Sequence, residues 1–164
     1  MTRAANTYQL TQPPIAEAAM LIRSPVAEVF AAFIDPAITS RFWFTGSSGK
    51  LELGTNIQWD WEMYHVSVQV SVRAIEQNRR ILIEWSAYGA PTPVEWLFTD
   101  RGDQTTFVRV TNAGFSGDGD AIVTQALDST GGFTLVLAGL KALLEHNVSL
   151  NLVPDRFPEE REER

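Results

Sequence analysis

The chain has 164 residues, 45% of them hydrophobic and 20% charged, which is the composition of one soluble globular domain with a substantial core. It contains no cysteine, so disulfides, thiol catalysis and thiolate metal sites are excluded. Its formal net charge of −7 opposes binding to nucleic-acid phosphates.

No apolar run reaches the roughly 18 residues of a membrane-spanning helix, so membrane insertion is not expected. Residues 1–14 lack the charged start, apolar centre and cleavage site of a signal peptide, and a cytoplasmic location is the expectation. Residues 15–150 read as a single domain, 1–14 as an N-terminal extension and 151–164 as a charged C-terminal tail, solvated from residue 159 on.

Residues 15–23 form the first predicted strand, with Ala16, Ala18, Met20 and Ile22 on one face. Ser24-Pro25 starts a helix, Ser as N-cap and Pro in the first turn, with Val26, Val29, Phe30 and Phe33 as the apolar stripe. Asp35-Pro36 stops it and opens a second short helix to about Arg41. Residues 46–49 read as a loop. A run of period-2 strands then spans 50–111, its first two strands separated by a turn at Gly54-Thr55.

Within that run Ile57, Trp59, Trp61 and Met63 alternate with polar neighbours. So do Val66, Val68, Val70 and Val72, then Ile81, Ile83 and Trp85, then Val94, Trp96 and Phe98, and finally Thr106, Val108 and Val110. Such rows give an antiparallel sheet with one apolar face. Turns fall at 77–79, 88–93 and 100–103. The apolar stretch 121–144 is the one segment long enough to cover the sheet. Asp118 or Asp120 caps this helix, Gly131-Gly132 marks a bend, and Phe133, Leu137, Leu140 and Leu144 face the sheet.

The order strand, helix pair, six strands, long helix resembles the helix-grip fold of the START/Bet v 1-like superfamily (SRPBCC; polyketide cyclase/dehydrase and lipid transport). Within it the chain is most similar to the family named for the activator of heat shock protein 90 ATPase. The resemblance is carried by Ser24-Pro25-Val26-Ala27-Glu28-Val29-Phe30 with Asp35-Pro36, Phe42-Trp43, and Arg79-Arg80-Ile81-Leu82-Ile83-Glu84-Trp85. Thr105-Thr106-Phe107-Val108 leading to Asn112-Ala113-Gly114-Phe115 continues it, as does Gly131-Gly132-Phe133 through Leu140-Lys141, where Gly-Trp is commoner in the family. It covers roughly residues 15–148. It implies an α+β helix-grip fold, a curved antiparallel sheet of about seven strands around a long C-terminal helix with two short helices after the first strand. It also implies a cavity between sheet and helix, but no reaction.

Trp59, Trp61, Met63, Trp85, Trp96, Phe98, Phe133 and Leu137 are the candidate ligand-binding residues, and the same rings would serve equally as core filling. His65 is the leading acid–base candidate, at a cavity rim or in an exposed hairpin, an enzyme needing it, Tyr64 or Glu62 to point inward, and His146 suits a helix C-terminus. Asp60 and Glu62 share a strand face opposite the tryptophans, hence solvent. Ser129 and Thr130 bond a ligand or the preceding helical turn. Asp118 and Asp120 lack the calcium-loop pattern, and neither metal nor cofactor is expected.

No catalytic set is recognisable. Three readings follow: a binder of a small hydrophobic or aromatic molecule in a cavity of several hundred Å³, a polyketide cyclase- or aromatase-like enzyme using that cavity, and a co-chaperone-like interaction module. The third calls for an exposed apolar patch around Phe42-Trp43-Phe44, a triplet that equally fits a pocket mouth or a homodimer contact.

Overall fold

Apolar–polar alternation sorts the long strands onto one sheet whose concave face is largely buried, with Val66 left exposed and Met20 half-buried. In the computed structural model, which describes residues 8–158, β1 (Ala16–Ile22) precedes α1 (Val26–Ile34) and α2 (Pro36–Thr39). Then come β2 (Gly46–Ser47), β3 (Asn56–Trp61), β4 (Val66–Glu76), β5 (Arg80–Tyr88), β6 (Ala90–Asp100) and β7 (Thr106–Asn112). The long helix α3 (Gly119–His146) and the short α4 (Leu152–Arg156) follow. The seven strands are antiparallel in the order β1-β7-β6-β5-β4-β3-β2, curving around α3 in the expected helix-grip arrangement.

Local chemistry places the helices. Asp118 Oδ1 accepts the Ala121 N–H at 2.8 Å and caps α3. Asn147 ends it in the left-handed region, φ 52°, with its N–H on Leu143 O and the Val148 N–H on Ala142 O. Gly139 lets α3 approach the loop after α2, since a Cβ there would stand 3.3 Å from Phe42 O. By length and hydropathy α3 would also pass for a membrane span, which apolar runs alone did not suggest. Its Phe133, Val136, Leu137 and Leu140 are instead buried against the sheet, as in a core helix.

Several local expectations are corrected. Ser24 does not cap α1; Pro25 occupies that position, and Ser24 Oγ donates to Glu28 Oε2 at 2.7 Å. Residues 50–53 form no strand, and the second strand is Gly46–Ser47, paired with Asp60 and Trp59. β3 ends at Trp61 because a 3-10 turn, Glu62–Tyr64, leads to His65 at φ 51°. Glu62 and Met63 therefore leave the strand's alternation. The turn read at 88–93 narrows to Gly89, φ 96°, and β6 begins before its prolines. Pro93 is tolerated because the β6–β7 ladder starts only at Val94. Leu152–Arg156 is helical within the segment read as tail, whereas the solvated stretch from residue 159 lies outside the described residues.

Candidate functional site

Thr39, fully buried, donates to Asp35 O at 3.0 Å and also to Ala32 O, pinning α2 to α1. The chain leaving α2 thus carries Phe42, Trp43 and Phe44 straight into the core, where all three are buried. No apolar patch exists at this triplet, contrary to the interaction-module expectation. The Trp43 ring lies 4.9 Å from Trp59, 5.6 Å from Phe133 and 5.9 Å from each of Trp61, Trp85 and Trp96. Phe44 stacks on Trp59 at 5.1 Å.

Rings of this size bury about 150–250 Å² each. At roughly 25 cal/mol/Å², each contributes on the order of 4–6 kcal/mol to holding sheet and helix together. The inward tryptophans therefore fill much of the space between the layers. Among the described residues, three clefts border the cluster, of about 190, 90 and 130 Å³, and Trp43 lines all three.

The 90 Å³ cleft lies between the end of β5 and the middle of α3, walled by Trp43, Trp85, Tyr88, Asp128, Ser129, Gly132 and Phe133. The 130 Å³ cleft shares Trp43, Asp128 and Gly132 with it and is closed on its far side by Tyr64, Val153, Arg156 and Phe157. Gly132 is thus a common wall, and a Cβ there would meet nothing within 4 Å. α4 reaches this wall because Tyr64 Oη donates to Val153 O and the Arg156 guanidinium, over the Phe157 ring, packs against Gly131. The 190 Å³ cleft lies between the loop after α2, Met63 and residues 150–154.

Polar groups gather at the 90 Å³ cleft. Tyr88 Oη donates to Asp128 Oδ2 at 2.7 Å. Burial pushes the Tyr88 hydroxyl well above the usual 10.0 of a phenol, and its bond to Asp128 adds to the shift. Ser129 Oγ donates across the interface to Asn112 Oδ1 at 3.0 Å rather than to the preceding helical turn, one of its two expected partners. Asn112 Nδ2 donates to Thr92 Oγ1 at 3.0 Å and to Pro93 O at 2.8 Å. Asn112, Thr92 and Ser129 are all buried, a fully paired polar knot behind the cleft. The Trp85 indole N–H, by contrast, is buried with no acceptor among the described residues.

Of the expected ligand-binding residues, the structure brings Trp85 and Phe133 to the 90 Å³ cleft and Met63 to the 190 Å³ cleft. Trp59, Trp61, Trp96, Phe98 and Leu137 are buried in the ring cluster and line none of the three. His65 is exposed in the β3–β4 hairpin and also lines none. Asp60 faces outward, its carboxyl held below the usual carboxylate range by the Ser67 hydroxyl and the Gln58 amide. Tyr88, Asp128 and Gly132 were not among the site candidates read from the sequence. Trp43 was singled out, but as part of a patch or mouth rather than as the hub of the cluster.

A family model described as Activator of Hsp90 ATPase homolog 1-like protein matches residues 23–145. No curated protein matches the chain. Among solved structures, protein SSP2350 from Staphylococcus saprophyticus is 29% identical with a TM-score of 0.70, over 83% of this chain and 95% of that one. DynU16, described as a putative protein in the dynemicin biosynthetic locus, is 20% identical with a TM-score of 0.72. The match takes in 83% of this chain but 49% of DynU16, so the chain spans about half that protein's length. The Aha1 dimer from Colwellia psychrerythraea is 16% identical with a TM-score of 0.68, over 80% of this chain and 96% of that one. The last two likenesses concern the fold alone.

Proposed function

The chain belongs to the Activator of Hsp90 ATPase homolog 1-like family, and we propose that it binds a small, flat, apolar molecule at the junction of β5, α3 and α4. The observation that carries this reading is the pair of clefts, about 90 and 130 Å³, that meet at Gly132 over a floor of aromatic rings. Together they approach the lower end of the several-hundred-Å³ range usual for small-molecule sites, and concave apolar walls with a few polar groups are the usual make-up of such sites. Rings supply broad contact area, while Tyr88, Asp128 and Ser129 supply the polar edge.

The test is native mass spectrometry and organic extraction of the purified protein, followed by titration with the neutral fluorophore N-phenyl-1-naphthylamine. Saturable one-site emission that is lost in Gly132→Leu, with the fold intact, is the expected result. A folded wild-type protein that carries nothing and leaves the fluorophore in water would overturn the reading and turn attention to protein partners. For a homodimer, the support is the described dimer of the Colwellia protein; light scattering on the eluting protein decides it.

A further inference from the structure

Two buried indole N–H groups, those of Trp85 and Trp96, have no acceptor among the described residues. Leaving such a donor unpaired is costly, and buried polar groups are paired as a rule. The two differ in their access to a guest. Trp96 lines none of the three clefts, whereas Trp85 walls the 90 Å³ cleft while being only 7% exposed. Of the other side-chain donors in that wall, Tyr88 donates to Asp128 and Ser129 donates to Asn112, whereas the Trp43 indole N–H makes no hydrogen bond with the described residues but is not among the buried unpaired groups. Among the described residues, then, the cleft offers one uncommitted buried donor. It also has one charged wall residue, the carboxylate side chain of Asp128.

We propose that the ligand is a neutral flat aromatic bearing a carbonyl oxygen, which accepts the Trp85 Nε1–H while the rings lie across Gly132 into the 130 Å³ cleft. This rests on the small-molecule reading above and specifies its chemistry. A neutral carbonyl gives the Trp85 donor its acceptor without bringing a charge into the cleft, whereas a carboxylate would meet Asp128. The bare Gly132 surface gives the aromatic body its passage, since a side chain at that position would stand between the two clefts.

Three probes of like shape separate the possibilities: 2-acetylnaphthalene, 2-ethylnaphthalene and 2-naphthoate. Binding is followed by calorimetry and by the indole N–H resonances of the five tryptophans in a ¹⁵N-labelled protein. The ketone should bind about 3- to 10-fold more tightly than the hydrocarbon, the worth of one neutral hydrogen bond. The naphthoate should bind more weakly than either. Saturation with the ketone, but not with the hydrocarbon, should move the Trp85 N–H downfield and leave Trp96 in place.

Trp85→Phe keeps a ring and removes the donor, so it should erase the preference for the ketone while both neutral probes still bind. Should that variant not fold, the wild-type resonance shift decides alone. Equal affinities with an unmoved Trp85 N–H would overturn the proposal yet leave the binding reading standing. Failure of the folded wild type to bind any of the three in a saturable way would overturn both.

Discussion

Replacing Gly132 with Ala should stabilise the protein. Gly132 lies in the interior of α3, a 28-residue helix, where glycine is about 0.8–1.0 kcal/mol less favourable than alanine. The added Cβ meets nothing within 4 Å, so no clash offsets the gain. For a domain of this size a gain of about 1 kcal/mol raises Tm by roughly 2–4 °C. Gly139 in the same helix is the internal control: its Cβ would stand 3.3 Å from the Phe42 carbonyl oxygen, a backbone atom that cannot swing aside. Gly139→Ala should therefore be less stable than Gly132→Ala by 1 kcal/mol or so, although both gain the same propensity. Urea denaturation of the two variants beside wild type measures the difference. If Gly132→Ala proves destabilising, or indistinguishable from Gly139→Ala, Gly132 does not border open space and the joined-cleft geometry fails. A stabilised Gly132→Ala that also loses affinity for N-phenyl-1-naphthylamine would show the position exchanging helix stability for access to the cleft.

Asn112→Ala strips the polar knot and leaves Ser129, Thr92 and Pro93 without their shared partner, a loss of about 2–4 kcal/mol readable by the same denaturation. In a spectrophotometric titration one of the three tyrosines should ionise well above pH 10.0, and Tyr88→Phe should remove that late phase. Because the folded protein holds the Tyr88 proton after the unfolded chain has lost it, stability falls as pH rises beyond 10.0, and falls less in the variant. Asp60 shows the opposite sign: its folded-state value is depressed, so its contribution is present above 3.8 and disappears as pH drops below that value. Asp60→Asn should lose less stability than wild type on acidification through that window, measured by thermal melts.

Much of the fold is written in local periodicity. Trp59 and Trp61, Ile81 through Trp85, and Val94 through Phe98 sit on the buried face that their alternation assigns them, because a strand fixes which side each residue takes. Alternation failed at Met63, where a 3-10 turn set by the left-handed His65 replaces the pleat that the pattern assumes. The candidate site was far less legible. Tyr88 and Asp128 meet although they stand 40 positions apart in the chain, and no local spacing encodes that approach. Prolines 91 and 93 also made the end of β5 look like a turn, which hid Tyr88's place on it. Gly132 was read by its effect on the helix backbone, a bend, when what shapes the site is the side chain it lacks. The inward tryptophans were read as core or cavity wall alike. Sheet phase tells which face a ring is on but not whether another ring, here Trp43, already occupies the space opposite.

The Tyr88–Asp128 pair bears on the choice between binder and cyclase-like enzyme. A general acid or base works best when its pKa lies near the operating pH. Burial and the neighbouring carboxylate move the Tyr88 hydroxyl the other way, further above its ordinary 10.0. At neutral pH the hydroxyl therefore keeps its proton and donates it in a hydrogen bond to Asp128 Oδ2. A pair so committed makes a poor proton shuttle but a well-fixed edge for a pocket, since each partner holds the other's rotamer. His65, the leading acid–base candidate of the sequence, stands in an exposed hairpin and lines none of the three clefts. The chemistry gathered around the rings thus supports the proposed binding of a neutral molecule over its transformation, and the buried, unpaired indole N–H of Trp85 is the donor that proposal uses.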